Sequence, residues 1–262
     1  MSKYIDIHSH LNLKQFDVDR DEIIQKLKDC DVSTITVGVD YSSSLFALEL
    51  AEKHEHLFAC IGLHPSDVLV EEFDYSKMLE LSRNKKVVAI GECGLDYFRE
   101  NDDSFKSKQK EVFHLHIKLA LESNKPLMIH GRPSKGTMDA YIDILNILES
   151  YKKKNENLMA NFHFFSGDLN IAKRIIELGF TMSFDGPITF SHDYDEVIKT
   201  ISIESIMAET DSPFAAPTPY RGKRAEPQMV KEVIKRIAEI KGLNEEEALH
   251  IINSNVKQVF DI

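Results

Sequence analysis

What most constrains this chain is an alternation of eight short apolar runs with longer stretches of helical periodicity. The runs are YIDIH from Tyr4, STITVGV from Ser33, LFACIGL from Leu57, VVAIGE from Val87, PLMIH from Pro126, LMANFH from Leu158, FTMSFD from Phe180 and SIMAET from Ser205. They are rich in Val, Ile, Phe and Thr and apolar nearly throughout, which is the composition of parallel strands buried on both faces. Between them Ile23, Ile24 and Leu27 share a helical face, as do Leu45, Leu48 and Ala51, and Ile171, Ile175 and Ile176. Gly179 stands where a left-handed cap belongs, and Pro227 precedes a face of Val230, Val233, Ile234 and Ile237, as proline does in a first helical turn. Asn244 and Glu247 have the spacing of a capping box. Such alternation leaves a doubly wound sheet or a closed barrel. Eight strands in 262 residues favour a single (β/α)8 TIM barrel spanning 1–262. No repeat, low-complexity tract or linker divides it, and residues 213–227 read as a long loop over one end.

Polar residues sit at the C-terminal ends of these runs. The first ends in His8-Ser9-His10, the third in His64, the fourth in Glu92, the fifth in His130, the sixth in His163 and the eighth in Asp211. In a (β/α)8 barrel those ends converge on one mouth, where active sites of this fold lie. Residues two apart on a strand point to the same side, so His8 and His10 can grip one ion. The spacing alone is a weak signal: His54-Glu55-His56 and His114-Leu115-His116 share it in segments read as helical, where it separates the rings. Singly, Glu92 could be a paired buried carboxylate, His130 and His163 satisfied core histidines, and Asp211 a turn cap. Chance does not put all of them at strand ends together. His8, His10, Glu92, His130, His163 and Asp211 are therefore the candidate metal ligands.

Four imidazoles and two carboxylates suit Zn²⁺, Mn²⁺, Fe²⁺ or Co²⁺ better than Ca²⁺. Six ligands exceed the need of one tetrahedral ion, so two divalent ions sharing a carboxylate are expected. The charge balance matters here: 32 Lys+Arg against 43 Asp+Glu give a net charge of −11. A chain this acidic is repelled by nucleic acid and by anionic membranes unless ions or a local basic cluster attract them. There is no apolar run long enough to span a bilayer and no signal-peptide pattern at the N-terminus. Cys30, Cys60 and Cys93 are far apart and form no CxxC, which argues against a disulfide framework and for a reducing, cytoplasmic setting. Cys93 adjoins Glu92, but alternation turns it away from that carboxylate, so it reads as a buried hydrophobe rather than a nucleophile.

DIHSHLN from Asp6, IGLHP from Ile61, AIGECGLDY from Ala89, KPLMIHGR from Lys125, NFHFFSG from Asn161, ETDSPF from Glu209, RGKRAEP from Arg221 and NVKQVF from Asn255 occur in one order over nearly the whole chain. On these stretches the sequence resembles the TatD family of metal-dependent deoxyribonucleases, in the amidohydrolase-like group of TIM barrels. The resemblance implies that His8 and His10 bind one of two divalent ions (Mg²⁺, Mn²⁺ or Zn²⁺). It also implies that Glu92 bridges to a second ion held by His130 and His163. Asp211 would ligate the first ion and orient, or take a proton from, the attacking water. His64 and Arg132 would lie near the substrate phosphate, with the loop of Arg221 and Arg224 lining the mouth. The implied activity is phosphodiester hydrolysis of DNA, trimming single-stranded or 3′ ends, with no membrane and no obligate protein partner. Three positions depart from the family's usual pattern: GRPSKGTMDA follows His130, Phe164 stands where cysteine is common, and Ala225 where asparagine is. None removes a ligand, and the last two bear on substrate choice. An amidase or esterase with the same ions, or a binding protein with a disused site, are the rival functions, because barrel and ligands do not by themselves fix the substrate.

Overall fold

The computed structural model describes residues 2–99 and 102–262. Its parallel strands follow chain order: β1 (Tyr4–Ser9), β2 (Val32–Val37), β3 (Leu57–Ile61), β4 (Val87–Asp96), β5 (Leu127–Arg132), β6 (Ala160–Phe162), β7 (Thr181–Phe184) and β8 (Ile206–Ala208). Each pairs with its sequence neighbour in one eight-stranded sheet. The ring closes just beyond β8: Ser9 bridges to Ser212, the His10 N–H donates to the Ser212 carbonyl at 2.7 Å, and the Asp211 N–H donates to the His8 carbonyl at 2.9 Å. The fold is therefore the expected (β/α)8 barrel. Closure also sets Asp211 beside His8, although 203 positions separate them, since 211 − 8 = 203.

Helices α1 (Arg20–Asp29), α2 (Tyr41–Lys53), α3 (Tyr75–Ser82), α4 (Asp103–Ser123), α5 (Asp139–Lys152), α6 (Leu169–Glu177), α7 (Asp195–Thr200), α8 (Val230–Lys241) and α9 (Glu245–Phe260) fill the intervals. Several begin at a carboxylate that takes up a free backbone donor: Asp40 accepts from Ser43 N–H at 2.6 Å, Asp74 from Lys77 at 3.1 Å and Asp168 from Ile171 at 2.9 Å. Gly179 has φ +75 beyond α6, as a left-handed cap should, and Pro227 opens a 3-10 turn, Pro227–Met229, that runs into α8. Asn244 accepts from the Glu247 N–H at 2.8 Å. Glu247 returns its carboxylate to the Asn244 side-chain amide at 3.3 Å instead of to the backbone, so only half of the capping box forms.

One expectation needs correction. His54 is not within a helix; it follows α2 in extended conformation, and His56 lies in the turn before β3. The apolar run from Leu57 has to start a strand, which ends the helix at Lys53, before both histidines. His114 and His116 do lie in α4.

The core has two layers. Ile5, Ile7, Ile35, Val37, Cys60, Met128 and Met207 belong to an inner cluster, joined by Val256, Val259 and Phe260 from the end of α9. Met128 is two residues before His130 on β5, so the same strand face that buries apolar groups below carries a candidate ligand above. A fully buried Ile or Val stabilises by about 1.5–3 kcal/mol, and the ligands thus stand on a rigid floor. The outer cluster fills the space between strands and helices, and Cys93 is wholly buried there, packed away from Glu92 as the alternation predicts. Burial and the nearby Glu92 charge push its thiol well up, away from the reactive thiolate. Residues 213–227 form a loop on a small core in which Ala216, Ala225 and Tyr220 pack with Met229 of the following turn.

Candidate metal centre

The structure brings the six expected ligands and His64 together at the strand C-termini. Glu92, nearly buried, is the hub. Its Oε2 lies 3.5 Å from His8 Nε2 and 3.8 Å from His10 Nε2, while Asp211 Oδ1 approaches the same two nitrogens at 3.7 and 3.3 Å. Its Oε1 lies 2.8 Å from His130 Nδ1, 2.8 Å from His163 Nε2 and 3.4 Å from His64 Nε2. The two oxygens of one carboxylate thus face two separate donor sets. His8, His10 and Asp211 form one group of convergent ligand atoms, and His64, Glu92 and His130 another.

Hydrogen bonds on the far ring nitrogens decide which of these atoms offers a lone pair. His10 Nδ1 sits 2.9 Å from the Val37 carbonyl, which can only accept, so the proton is on Nδ1 and Nε2 is bare. His130 Nε2 faces Asp96 Oδ2 at 3.3 Å, which leaves Nδ1 bare toward Glu92. His163 Nδ1 lies 3.4 Å from Glu209 Oε1 without forming a hydrogen bond, and the carboxylate there favours a proton on Nδ1 and a lone pair on Nε2 toward Glu92. His8 Nε2 and His10 Nε2 are only 3.2 Å apart. A bare His10 Nε2 beside His8 Nε2 and a carboxylate, and lone pairs of His130 and His163 turned to Glu92, repel unless protons or cations sit between them, and divalent ions fit this donor set. His64 differs. Its Nδ1 accepts from the Ser66 N–H at 3.1 Å, so its proton is on Nε2 and it faces Glu92 as a donor.

The electrostatics agree. Burial pushes the Glu92 carboxyl up, but when protons stand in for cations on the facing rings, the His163 charge and hydrogen bonds from His130 and His163 outweigh it and hold the acid well below its usual range. Burial lowers the His8 imidazole, and His163 stacked on it at 3.9 Å between centroids lowers it further.

Four groups here carry no expected role. Glu209, fully buried, accepts from the Phe164 N–H at 2.6 Å and from Ser183 Oγ at 2.6 Å while facing His163. Asp96 takes the Phe98 N–H at 3.0 Å behind His130. Asp6 takes the Thr210 N–H at 2.9 Å and Thr210 Oγ1 at 2.8 Å, tying β1 to the segment after β8 under the ligands. Asp185, just beyond β7, is buried and its Oδ2 has no hydrogen-bond partner among the described residues. For Glu209 the signal was available, since it stands two residues before Asp211, the spacing that marks His8 and His10.

A cavity of about 540 Å³ opens over the site, and its walls include His10, His64, Arg99, Arg132, Phe164 and Phe214. Arg132 lines this cavity, stacked over Phe98 at 4.2 Å. Arg221 and Arg224 are not brought to these walls. Arg224 donates to Asp19 Oδ2 at 2.5 Å, Asp19 Oδ1 at 2.8 Å and the Gln15 carbonyl at 2.7 Å, and lies over Phe16 at 4.4 Å. The loop carboxylate of Asp19 has captured its guanidinium fork. Arg221 lies over Phe190 at 3.9 Å.

Barrel and donor set together define a metal-dependent hydrolase. The chain matches the family described as TatD related DNase over residues 5–261, and it belongs to that family. It is 41% identical over 261 residues to YabD of Bacillus subtilis (strain 168), an uncharacterized metal-dependent hydrolase, with 98% of each chain covered. YcfH of Escherichia coli (strain K12), likewise an uncharacterized metal-dependent hydrolase, is 30% identical over 264 residues, covering 98% of this chain and 96% of its own. The solved structure of YjjV, a TatD homolog from Escherichia coli K12, superposes with a TM-score of 0.88 at 25% identity, covering 100% of this chain and 99% of its own. Among the described residues no helix is long and apolar enough to cross a membrane.

Proposed function

We propose that this metal-dependent hydrolase is a two-ion deoxyribonuclease that removes nucleotides from single-stranded 3′ ends. One observation carries the two-ion reading: the two oxygens of Glu92 face separate donor sets, His8, His10 and Asp211 on one side and His130 and His163 on the other. The family description supports a phosphodiester substrate, as do the cations Arg99 and Arg132 at the mouth of an otherwise acidic chain.

In this reading His8, His10 and Asp211 would hold one ion and His130 and His163 the other, with the Glu92 carboxylate available to both. Divalent ions held there, Mg²⁺, Mn²⁺ or Zn²⁺, supply charge neutralisation of the diester and acidify a water. Asp211, at the same centre with its Oδ1 3.3 Å from His10 Nε2, would take the proton of the attacking water. The P–O3′ bond breaks, the leaving oxygen gains a proton, and a 5′-mononucleotide departs. His64, with its proton on Nε2, holds a non-bridging oxygen, and Arg132 meets the strand's phosphates farther along the wall; Arg224, committed to Asp19, and Arg221 support the loop from outside the cavity. Glu209 and Asp96 keep His163 and His130 in the tautomers that aim bare nitrogens at the ions.

The test is incubation of end-labelled oligonucleotides with Mg²⁺ or Mn²⁺. A ladder shortening by one nucleotide at a time from the 3′ end is expected. Rapid hydrolysis of amides or carboxylic esters with DNA inert under every ion tried would overturn the reading in favour of the amidase or esterase rival.

A further inference from the structure

Among the described residues, the exposed large apolar side chains gather on one face. Val18, Leu69, Val70, Phe98, Phe190 and Phe214 all stand in loops that follow strands, on the side where the ligands converge; Ile142 on α5 is the exception. Exposed apolar groups collected on one face mark a contact surface. Three of these are aromatic, and two carry a guanidinium on the ring, Arg132 on Phe98 and Arg221 on Phe190. Phe214, 47% exposed, stands edge-on to His10 at 6.2 Å between centroids and walls the cavity on the side of the first donor set. Arg132 and Arg99 wall it on the side of His130, and Asp67 is the only carboxylate among the described lining residues outside the ligand set.

Rings interleaved with cations are the chemistry that receives single-stranded nucleic acid: ring faces take bases, and guanidinium groups take phosphates. A duplex hides the base faces such rings would need. We propose that Phe214 is the stacking surface for an unpaired 3′-terminal base and that Arg132, braced on Phe98, pairs with the phosphate of the neighbouring nucleotide. The proposal rests on the deoxyribonuclease reading and assigns its specificity-determining residues. The scissile phosphate lies between the two, over Glu92, and a cavity of about 540 Å³ is of the size that takes one small ligand rather than a long tract.

The experiment measures binding of a 5′-fluorescein single strand with a 3′-terminal phosphorothioate linkage, by anisotropy, to the ion-loaded enzyme. A second strand carries an abasic residue at its 3′ end. Phe214→Ala should weaken binding of the normal strand about tenfold, within the range for loss of one base–aromatic stack, and leave the abasic strand nearly unaffected. Phe214→Tyr should restore wild-type affinity. Arg132→Ala should lower the slope of log affinity against log salt by about one. Unchanged thermal midpoints check that these surface substitutions leave the fold alone. If Phe214→Ala weakens both strands equally, or neither, Phe214 is not the stacking surface. If the wild type binds and trims no strand at all, the deoxyribonuclease reading falls and takes this inference with it.

Discussion

Replacing Glu92 with glutamine tests the proposed two-ion centre at its hub. The carboxylate reaches His8 and His10 through Oε2 at 3.5 and 3.8 Å, and His130 and His163 through Oε1 at 2.8 Å each. An amide of the same shape keeps one oxygen, but its NH₂ has no lone pair to offer a cation. One donor set keeps a neutral acceptor and the other loses its anion, so metal content should fall from two ions per chain to one or fewer. Misplacing the reacting groups by about an ångström costs on the order of 10² in rate. Losing a preorganised electrostatic contact costs about 10²–10³. Even with overlap between these effects, Glu92→Gln should lose at least about 10³ in turnover, or about 4 kcal/mol of transition-state stabilisation. No cavity opens, because the side chains match in volume, so the near-ultraviolet circular dichroism should match the wild type. Elemental analysis after gel filtration and initial rates on an end-labelled strand provide the measurement. A folded Glu92→Gln variant that retains two ions per chain and more than a tenth of wild-type turnover would refute the bridging role.

Three further outcomes follow from the same geometry. His8→Ala and His10→Ala should each lower metal content by elemental analysis, whereas His54→Ala, His56→Ala and His114→Ala should not; equal losses across both sets would mean that strand position does not select the ligands. Glu209→Gln should weaken metal affinity about 10–100-fold in a chelator competition while KM for the strand stays near wild type, because Glu209 acts through His163 and Phe164 rather than on substrate; an unchanged affinity would make it a structural carboxylate only. His116, buried with Nδ1 on the Val112 carbonyl at 2.9 Å and Nε2 accepting from the Leu63 N–H at 3.0 Å, is held down by burial to about 4 against an ordinary value of 6.5. The unfolded chain therefore binds the extra proton, so the stability this neutral ring confers is full above pH 6.5 and is lost as pH falls toward 4. Between pH 7 and pH 4.5 its share amounts to about 2–3 kcal/mol. Urea melts of wild type and His116→Gln at the two pH values should differ in their pH dependence by that amount, and parallel behaviour would exclude His116 as the titrating group.

The barrel was legible because its strands are buried on both faces and so appear as apolar runs, and because ligands can only stand where those runs end. His8, His10, Glu92, His130, His163 and Asp211 all follow from that single rule. Residues whose role depends on what they face were not legible in this way. Arg224 looks like any loop cation until the fold brings Asp19, 205 positions away, within reach of its guanidinium. Phe214 looks like a loop hydrophobe until it is found edge-on to His10. The turn at His54–His56 was misread because a two-residue spacing does not say where a helix yields to a strand. The sharpest case is the pair His10 and His64. Both are imidazoles at strand ends, and nothing in their residue type distinguishes them. His10 gives its Nδ1 proton to a carbonyl on β2 and so turns a lone pair to the centre. His64 accepts a backbone N–H two residues on and so turns a proton there. In the proposed function one holds a cation and the other an anion, and the difference is made by one backbone group behind each ring.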